Sequence, residues 1–359
     1  MPDQLDTELT DLRDRAKAFA ASIDPNAERG EVRQAAQAAG FYAMTQPRAF
    51  GGTEASVLAL TVVRDELAAQ HLPHQSSVFG PGPGLLAEVD EPLRSSHLLP
   101  LLAGDKAAAF AFTESDAAPH PTRATSDGAW LVVEGQKSYV TGGADADFLN
   151  TLVHVDDAGA AILVIDTATE GVELCRKFSS LDGSHHAVFE FHQTRVPKHQ
   201  LVGQPGEGLP RAMRQIGDTR LAIAATCVGT ARWVLAELEA QLKLADGARG
   251  KPSSVRLRFA DLRIATFAAR SMLYRTARLA DAGANVVNEG IACKVFATET
   301  VHKVVDGAIQ LFGGKALVED HPLAKLYRQV RVLQLAEGAN DVLRLNLARG
   351  RLELDKGVL

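Results

Sequence analysis

Cysteine is scarce. The 359 residues hold three, Cys175, Cys227 and Cys293, far apart and matching no metal-ligand spacing. A disulfide framework and a structural zinc site are thereby excluded, and a sparse, odd set fits a reducing compartment with thiols used as small apolar residues. Positive charge is not in excess: the net charge is −6, which offers nothing to nucleic acid or to an anionic membrane surface. No apolar run reads as long as a membrane span. The acidic start, with Asp3, Asp6, Glu8 and Asp11, does not read as a secretory signal. Solenoid-period repeats and low-complexity segments are missing too. The expectation is a cytoplasmic protein without nucleic-acid binding or membrane insertion.

What is present is core material, with 46% apolar residues. Leu5, Leu9, Leu12, Ala16, Phe19 and Ile23 recur at helical spacing. Further helical stretches follow near 30–40, 55–71 and 91–103, separated by the Pro- and Gly-rich loops 46–52 and 71–84. Near Ala107 the period changes. The runs 108–113, 130–141, 148–155, 160–166, 172–178 and 186–191 have strand length, with 130–141 reading as two arms about a Glu134-Gly135 turn. After the turn 203–208 the helical period returns in 209–244, 252–282, 290–311, 321–334 and 340–354. The expected fold is α+β and mostly α. It has an N-terminal helical domain (1–106), a middle β-barrel or sandwich domain (107–205) and a C-terminal four-helix bundle (206–359).

One stretch concentrates the chemistry: Leu335-Ala336-Glu337-Gly338-Ala339-Asn340-Asp341-Val342-Leu343-Arg344. A carboxylate stands at a Gly-containing break between two helical patterns. The plain reading is a helix end, with Glu-Gly closing one helix and Asn340 or Asp341 capping the next. The alternative is a side chain aimed into a cleft.

Several motifs follow one another along the chain. They are Ala109-Phe110-Ala111-Phe112-Thr113-Glu114, Gly135-Gln136-Lys137-Ser138-Tyr139-Val140-Thr141-Gly142, Phe189 to Pro197, Gly217-Asp218-Thr219-Arg220, Gln310-Leu311-Phe312-Gly313-Gly314, Pro322 to Arg331 and Glu337-Gly338-Ala339-Asn340-Asp341. In order and spacing this resembles the acyl-CoA dehydrogenase family over nearly the whole chain. The resemblance implies FAD lying between the β domain and the bundle, with its adenosine end reaching a neighbouring subunit. It implies α,β-desaturation of an acyl-CoA substrate, a homo-oligomer, and electron transfer to an electron-transfer flavoprotein. Glu337 matches the family's general base, with its own N–H as donor to the thioester oxygen. The other position at which some members carry the base is Thr219 here, which cannot serve.

The resemblance further implies cofactor contacts at Thr113, Tyr139, Thr141, Gln310, Gly313 and Gly314, and substrate contacts at Arg220 and Gly338. Each has a plainer reading. Thr113 suits a turn cap, Thr141 a strand end, the Gly pair a helix C-terminus and Arg220 a solvated helix arginine. Departures fall on the cofactor side. Ala118-Pro119-His120 replaces Gly-Ser-Asp, and Asp246 and Arg249 replace an Arg and a Phe. The segment 253–260 is about four residues short of the family's usual length, and Ala339 replaces a Thr. Arg249 is the candidate for a displaced pyrophosphate contact. Two rival functions share this fold: an oxidase or monooxygenase, and a non-catalytic subunit that completes a partner's flavin site.

Overall fold

The computed structural model describes residues 4–116, 118–244 and 252–355. Three helices come first: α1 (Thr7–Ser22), α2 (Arg29–Ala38) and α3 (Val57–Ala69), then the short α4 (Leu99–Ala103). The strands follow as β1 (Ala108–Ala111), β2 (Arg123–Asp127), β3 (Trp130–Thr141), β4 (Phe148–Val155), β5 (Gly159–Asp166), β6 (Val172–Ser179), β7 (His185–Pro197) and β8 (Leu201–Val202). The chain then returns to helix in α5 (Gly208–Leu244), α6 (Ser253–Asp281), α7 (Val287–Phe312), α8 (Pro322–Val332) and α9 (Asn340–Leu352). The fold is mostly helical with a central sheet, as the change of period required.

By packing, the chain forms two compact units. One comprises Met1–Met44, Glu54–Phe79 and Gly217–Leu359; the other comprises Thr45–Thr53 and Gly80–Ile216. This is a different cut from the division into consecutive helical, β and helical segments.

In the helical unit, Leu221, Ala224, Val228, Ala231 and Leu238 of α5 share one core with Leu262 and Leu273 of α6 and with Val301 and Val305 of α7. Within Gly208–Lys243 one window is long and apolar enough, by length and composition, to cross a membrane. This corrects the reading that no run has that length. Half of the window is buried inside the protein, because its apolar side chains are the bundle core. The N-terminal helices belong to the same unit. Asp281, at the end of α6, accepts the first amide protons of α3 from Val57 (2.8 Å) and Leu58 (3.1 Å), an anion at the positive end of a helix. Two shorter helices, α8 and α9, both pack on α7. The fourth member of the bundle is therefore interrupted, between Val332 and Asn340.

The other unit is one eight-stranded sheet in the order β6-β7-β3-β2-β4-β5-β8, with β1 added on β4. Strands distant in that order, such as β7 and β5, fill the same interior through Phe189, Phe191, Leu163 and Ile165. The sheet is strongly curved as a result. Two expectations change here. Glu134-Gly135 is no turn: β3 runs straight through it with a register shift between Val133 and Gly135. Gly135 has φ +139°, and a Cβ there would stand 2.6 Å from the Thr122 backbone, so only glycine permits the approach. The strand β2 was not expected, because Arg-Ala-Thr-Ser-Asp buries only Ala124; it is held by pairing with β3 and β4.

Candidate functional site

Glu337 sits in the interruption of the bundle. After α8 the chain turns, with Leu335 N–H (2.9 Å) and Ala336 N–H (3.0 Å) both donating to Val332 O. Glu337 then adopts φ +54° and Gly338 φ +102°, two successive left-handed residues. For glutamate this conformation is strained, and surrounding structure must hold it. Two cations do so. Arg220 Nε of α5 donates to Glu337 O at 3.1 Å. Lys294 Nζ of α7 donates to Gly338 O at 2.8 Å and to Asn340 Oδ1 at 2.9 Å. The Asn340 amide in turn donates to Thr298 Oγ1 and Glu299 Oε1, both at 3.1 Å, and Arg344 closes on the Glu299 carboxylate at 2.7 Å.

This overturns the capping reading of Asn340 and Asp341. The N-cap of α9 is Ala339, which has no side-chain bond to give. Asn340 is the first helical residue and is buried, because the Lys294 ammonium, itself 0% exposed, demands acceptors. The Asp341 side chain is 98% exposed and pairs with Arg344 at 3.4 Å.

Both cations are thus engaged on main-chain carbonyls, and the Glu337 carboxylate makes no hydrogen bond or ion pair among the described residues. In a trans peptide N–H and C=O point in opposite directions. Tying down the carbonyls of Glu337 and Gly338 therefore turns the N–H groups of Gly338 and Ala339 away from the cations. Among the described residues the N–H groups of Glu337, Gly338 and Ala339 donate to no protein acceptor. Burial pushes the Glu337 carboxyl above the usual carboxylate range, and the charges of Arg220 and Lys294 hold that rise back. Burial lowers Lys294 to about 8. A half-buried carboxylate with a raised pKa, beside free amide donors, can accept a proton from carbon and stabilise an adjacent oxyanion.

Arg220 is buried rather than solvated, and it holds the Glu337 carbonyl. At Gly338 a Cβ would stand 3.1 Å from Leu343 Cδ2, a tight contact, and φ +102° would strain any side chain there. The residue that sequence reasoning missed is Lys294. Its signal was a lysine on the buried stripe Ile291, Lys294, Thr298, Val301, Val305 of α7.

The β unit brings Thr113, Tyr139 and Thr141 together. Ser138 N–H donates to Thr113 O at 2.8 Å, so the end of β1 lies against β3. A second register shift, between Lys137 and Val140, lifts Tyr139 out of the strand at φ +53°. Its ring is 61% exposed and meets Phe178 edge-on at 5.2 Å. An exposed aromatic ring on strained backbone is costly for a chain that leaves it uncovered. With exposed hydroxyls at Thr113 and Thr141 beside it, the patch has the flat face and polar edge that suit an isoalloxazine. Thr141 Oγ1 also contacts His186 Nδ1 at 3.1 Å. His186 lines a hollow of about 270 Å³ with Ala144, Asp145, Lys177, Phe178 and His185.

Gln310, Gly313 and Gly314 lie exposed at the end of α7, where Gly313, at φ +79°, closes the helix by donating to Ile309 O (2.9 Å). Arg249 and Asp246 lie outside the described residues.

Residues 206–352 match the family model "Acyl-CoA dehydrogenase, C-terminal domain". Over 356 residues the chain is 30% identical to the probable acyl-CoA dehydrogenase FadE25 of Mycobacterium tuberculosis, covering 93% of this chain and 90% of that protein. It is 28% identical to the human mitochondrial short-chain specific acyl-CoA dehydrogenase, over 86% of this chain and 79% of that one. A solved structure of a probable acyl-CoA dehydrogenase from Mycobacterium abscessus superposes with a TM-score of 0.84 at 25% identity, covering 96% of this chain and 98% of that one. With the three-part order of elements and the carboxylate in the interrupted helix, these similarities establish that the chain belongs to the acyl-CoA dehydrogenase family of flavin-dependent oxidoreductases.

Proposed function

We propose that the protein catalyses α,β-dehydrogenation of an acyl-CoA thioester, with Glu337 as the base that removes the α-proton. One observation carries this reading: Arg220 and Lys294 are spent on the carbonyls of Glu337 and Gly338, which leaves the carboxylate free while fixing its backbone. Burial raises the affinity of that carboxylate for a proton, which suits a base working near neutral pH. The unbonded N–H of Glu337 is the donor for the thioester oxygen, where negative charge grows as the α-proton leaves. Gly338 leaves the approach open for the acyl group, and Arg220 keeps the segment from relaxing.

The cofactor in this reading is FAD, which when bound supplies the acceptor for the hydride leaving the β-carbon. Thr113, Tyr139 and Thr141 hold its ring end. Gln310, Gly313, Gly314 and Arg249 serve the adenosine end of a neighbouring subunit's cofactor. A homo-oligomer is supported by large apolar side chains left in solvent, among them Leu257 (67% exposed), Ile264 and Phe267 on α6 and Leu345 (70%) on α9. An electron-transfer flavoprotein is the partner for reoxidation.

The test is anaerobic. Purified protein is yellow, and its flavin absorbance bleaches on adding an acyl-CoA from a panel of chain lengths. A yellow protein that no acyl thioester bleaches rules this function out. A colourless one that takes up flavin only with a second chain identifies a structural subunit.

A further inference from the structure

We propose that His186 is a positioning residue that fixes the hydrogen of the Thr141 hydroxyl, so that Thr141 presents a lone pair, not a proton, to the ligand covering it. The relay of hydrogen bonds starts at Asp182. Its Oδ1 accepts the backbone N–H of Ser184 at 3.1 Å and the Ser184 hydroxyl at 2.7 Å. A carboxylate only accepts, and a serine has one hydroxyl hydrogen to give. With that hydrogen committed to Asp182, Ser184 Oγ can only accept from His186 Nε2, which lies 3.0 Å away. Nε2 therefore carries the hydrogen, and in the neutral ring Nδ1 is bare. Thr141 Oγ1, 3.1 Å from Nδ1, is the donor in that contact. What remains on the Thr141 oxygen is acceptor capacity.

The ring is held for this task. Thr141 and His186 are direct partners across β3 and β7. Phe178 stacks on the imidazole at 5.4 Å and Tyr139 meets its edge at 6.0 Å. Asp145, Lys177 and His185 line the same hollow. The neighbouring His185 is turned to Ser179 Oγ at 3.0 Å.

The consequence rests on the reading that a flavin's N5 edge lies against Thr141. N5 bears a lone pair when the flavin is oxidised and a hydrogen when it is reduced. A threonine whose own hydrogen is held by His186 opposes the first and bonds the second. His186 thereby favours reduced over oxidised flavin. One net hydrogen bond corresponds to about a tenfold change in that ratio, or ~30 mV for a two-electron couple.

Two measurements test it. Solid-state NMR of the full-length holoenzyme with 15N-labelled histidine, which separates the two neutral tautomers from the imidazolium, reads the tautomer. The His186 signals are those lost in His186→Leu. An Nε2–H tautomer is expected; Nδ1–H overturns the proposal and leaves the dehydrogenase reading intact. The flavin midpoint potential is then compared in His186→Leu, His186→Asn and Thr141→Val. His186→Leu should lower it by ~30 mV, whereas His186→Asn, which keeps an acceptor in place of Nδ1, should stay near wild type. A potential that shifts in Thr141→Val but not in His186→Leu overturns the role of His186. A potential unmoved in both removes the flavin edge from Thr141, which defeats the site reading itself.

Discussion

Asp65, on α3, and Glu337, between α8 and α9, each stand beside two cations of the helical unit. Asp65 is 0% exposed and both of its oxygens are taken. Arg232 reaches Oδ1 at 2.7 Å, while Arg270 (2.9 Å) and the Tyr274 hydroxyl (2.7 Å) reach Oδ2. These three bonds tie α3 to α5 and α6 and engage both carboxylate oxygens of Asp65. Around Glu337 the cations are equally close in role but point elsewhere, to the carbonyl oxygens of Glu337 and Gly338. The charge that would quench the carboxylate holds its backbone instead. Asp65 has its oxygens engaged by cations, whereas among the described residues Glu337 keeps its oxygens free because its scaffold engages the cations.

The comparison breaks most sharply at the two acids themselves. Glu337→Gln should still bind FAD and acyl thioester, yet slow anaerobic flavin bleaching by about 10⁴-fold, the upper range for loss of a general base; stopped-flow absorbance reads this. Asp65→Ala should do the reverse. Stranding the Arg270 guanidinium and the Tyr274 phenol, and leaving Arg232 with Glu66 alone, should cost about 3–5 kcal/mol in urea unfolding, with the bleaching rate per folded molecule unchanged. If Asp65→Ala slows bleaching as Glu337→Gln does, the two acids do not divide as described.

Lys294→Met sharpens the contrast from the scaffold side. It leaves Gly338 O without its donor and Asn340 Oδ1 with only the longer contact from Thr298 Oγ1 (3.5 Å), at a cost of about 1–3 kcal/mol in thermal or urea unfolding. The turnover rate should fall more than substrate affinity, because the base moves while the rest of the site stays. The smallest effect is in pH. As the proposed base, Glu337 must be ionised to act, and burial raises its pKa, so the acid limb of the bleaching rate should lie above the ordinary carboxylate range. Removing the Lys294 charge should move that limb further up in pH, since a nearby cation favours the carboxylate. Asp65→Ala should leave the limb where it is.

Much of the fold was legible because the apolar period changes twice, from helical to alternating and back. Leu5 to Ile23 and the segment 209–244 carried the first and last of these patterns without ambiguity. The strand β2 was hidden because it has almost no apolar side to read, and its partners on β3 and β4 define it. Gly135 looked like a turn because glycine punctuates both turns and bulges, and only the pairing of β3 with β7 separates the two. At the candidate site, the Glu337-Gly338 break was visible as a carboxylate next to a glycine. Asn340 was misread as a cap because an Asn at a helix start usually is one, and Lys294 lies far from it in sequence.

By itself, the sequence determined the order of helical, β and helical segments and the place where the last bundle element breaks. Local period and Gly placement set both, since they act between residues a few positions apart. Only the tertiary structure decided that Asp65 is consumed and Glu337 is not. That outcome depends on which oxygen each buried cation meets, and Arg220, Lys294, Arg232 and Arg270 come from other helices. The same holds for the hydrogen of Thr141, whose direction is set by Asp182 and Ser184 through His186, across a strand pair that no local pattern specifies.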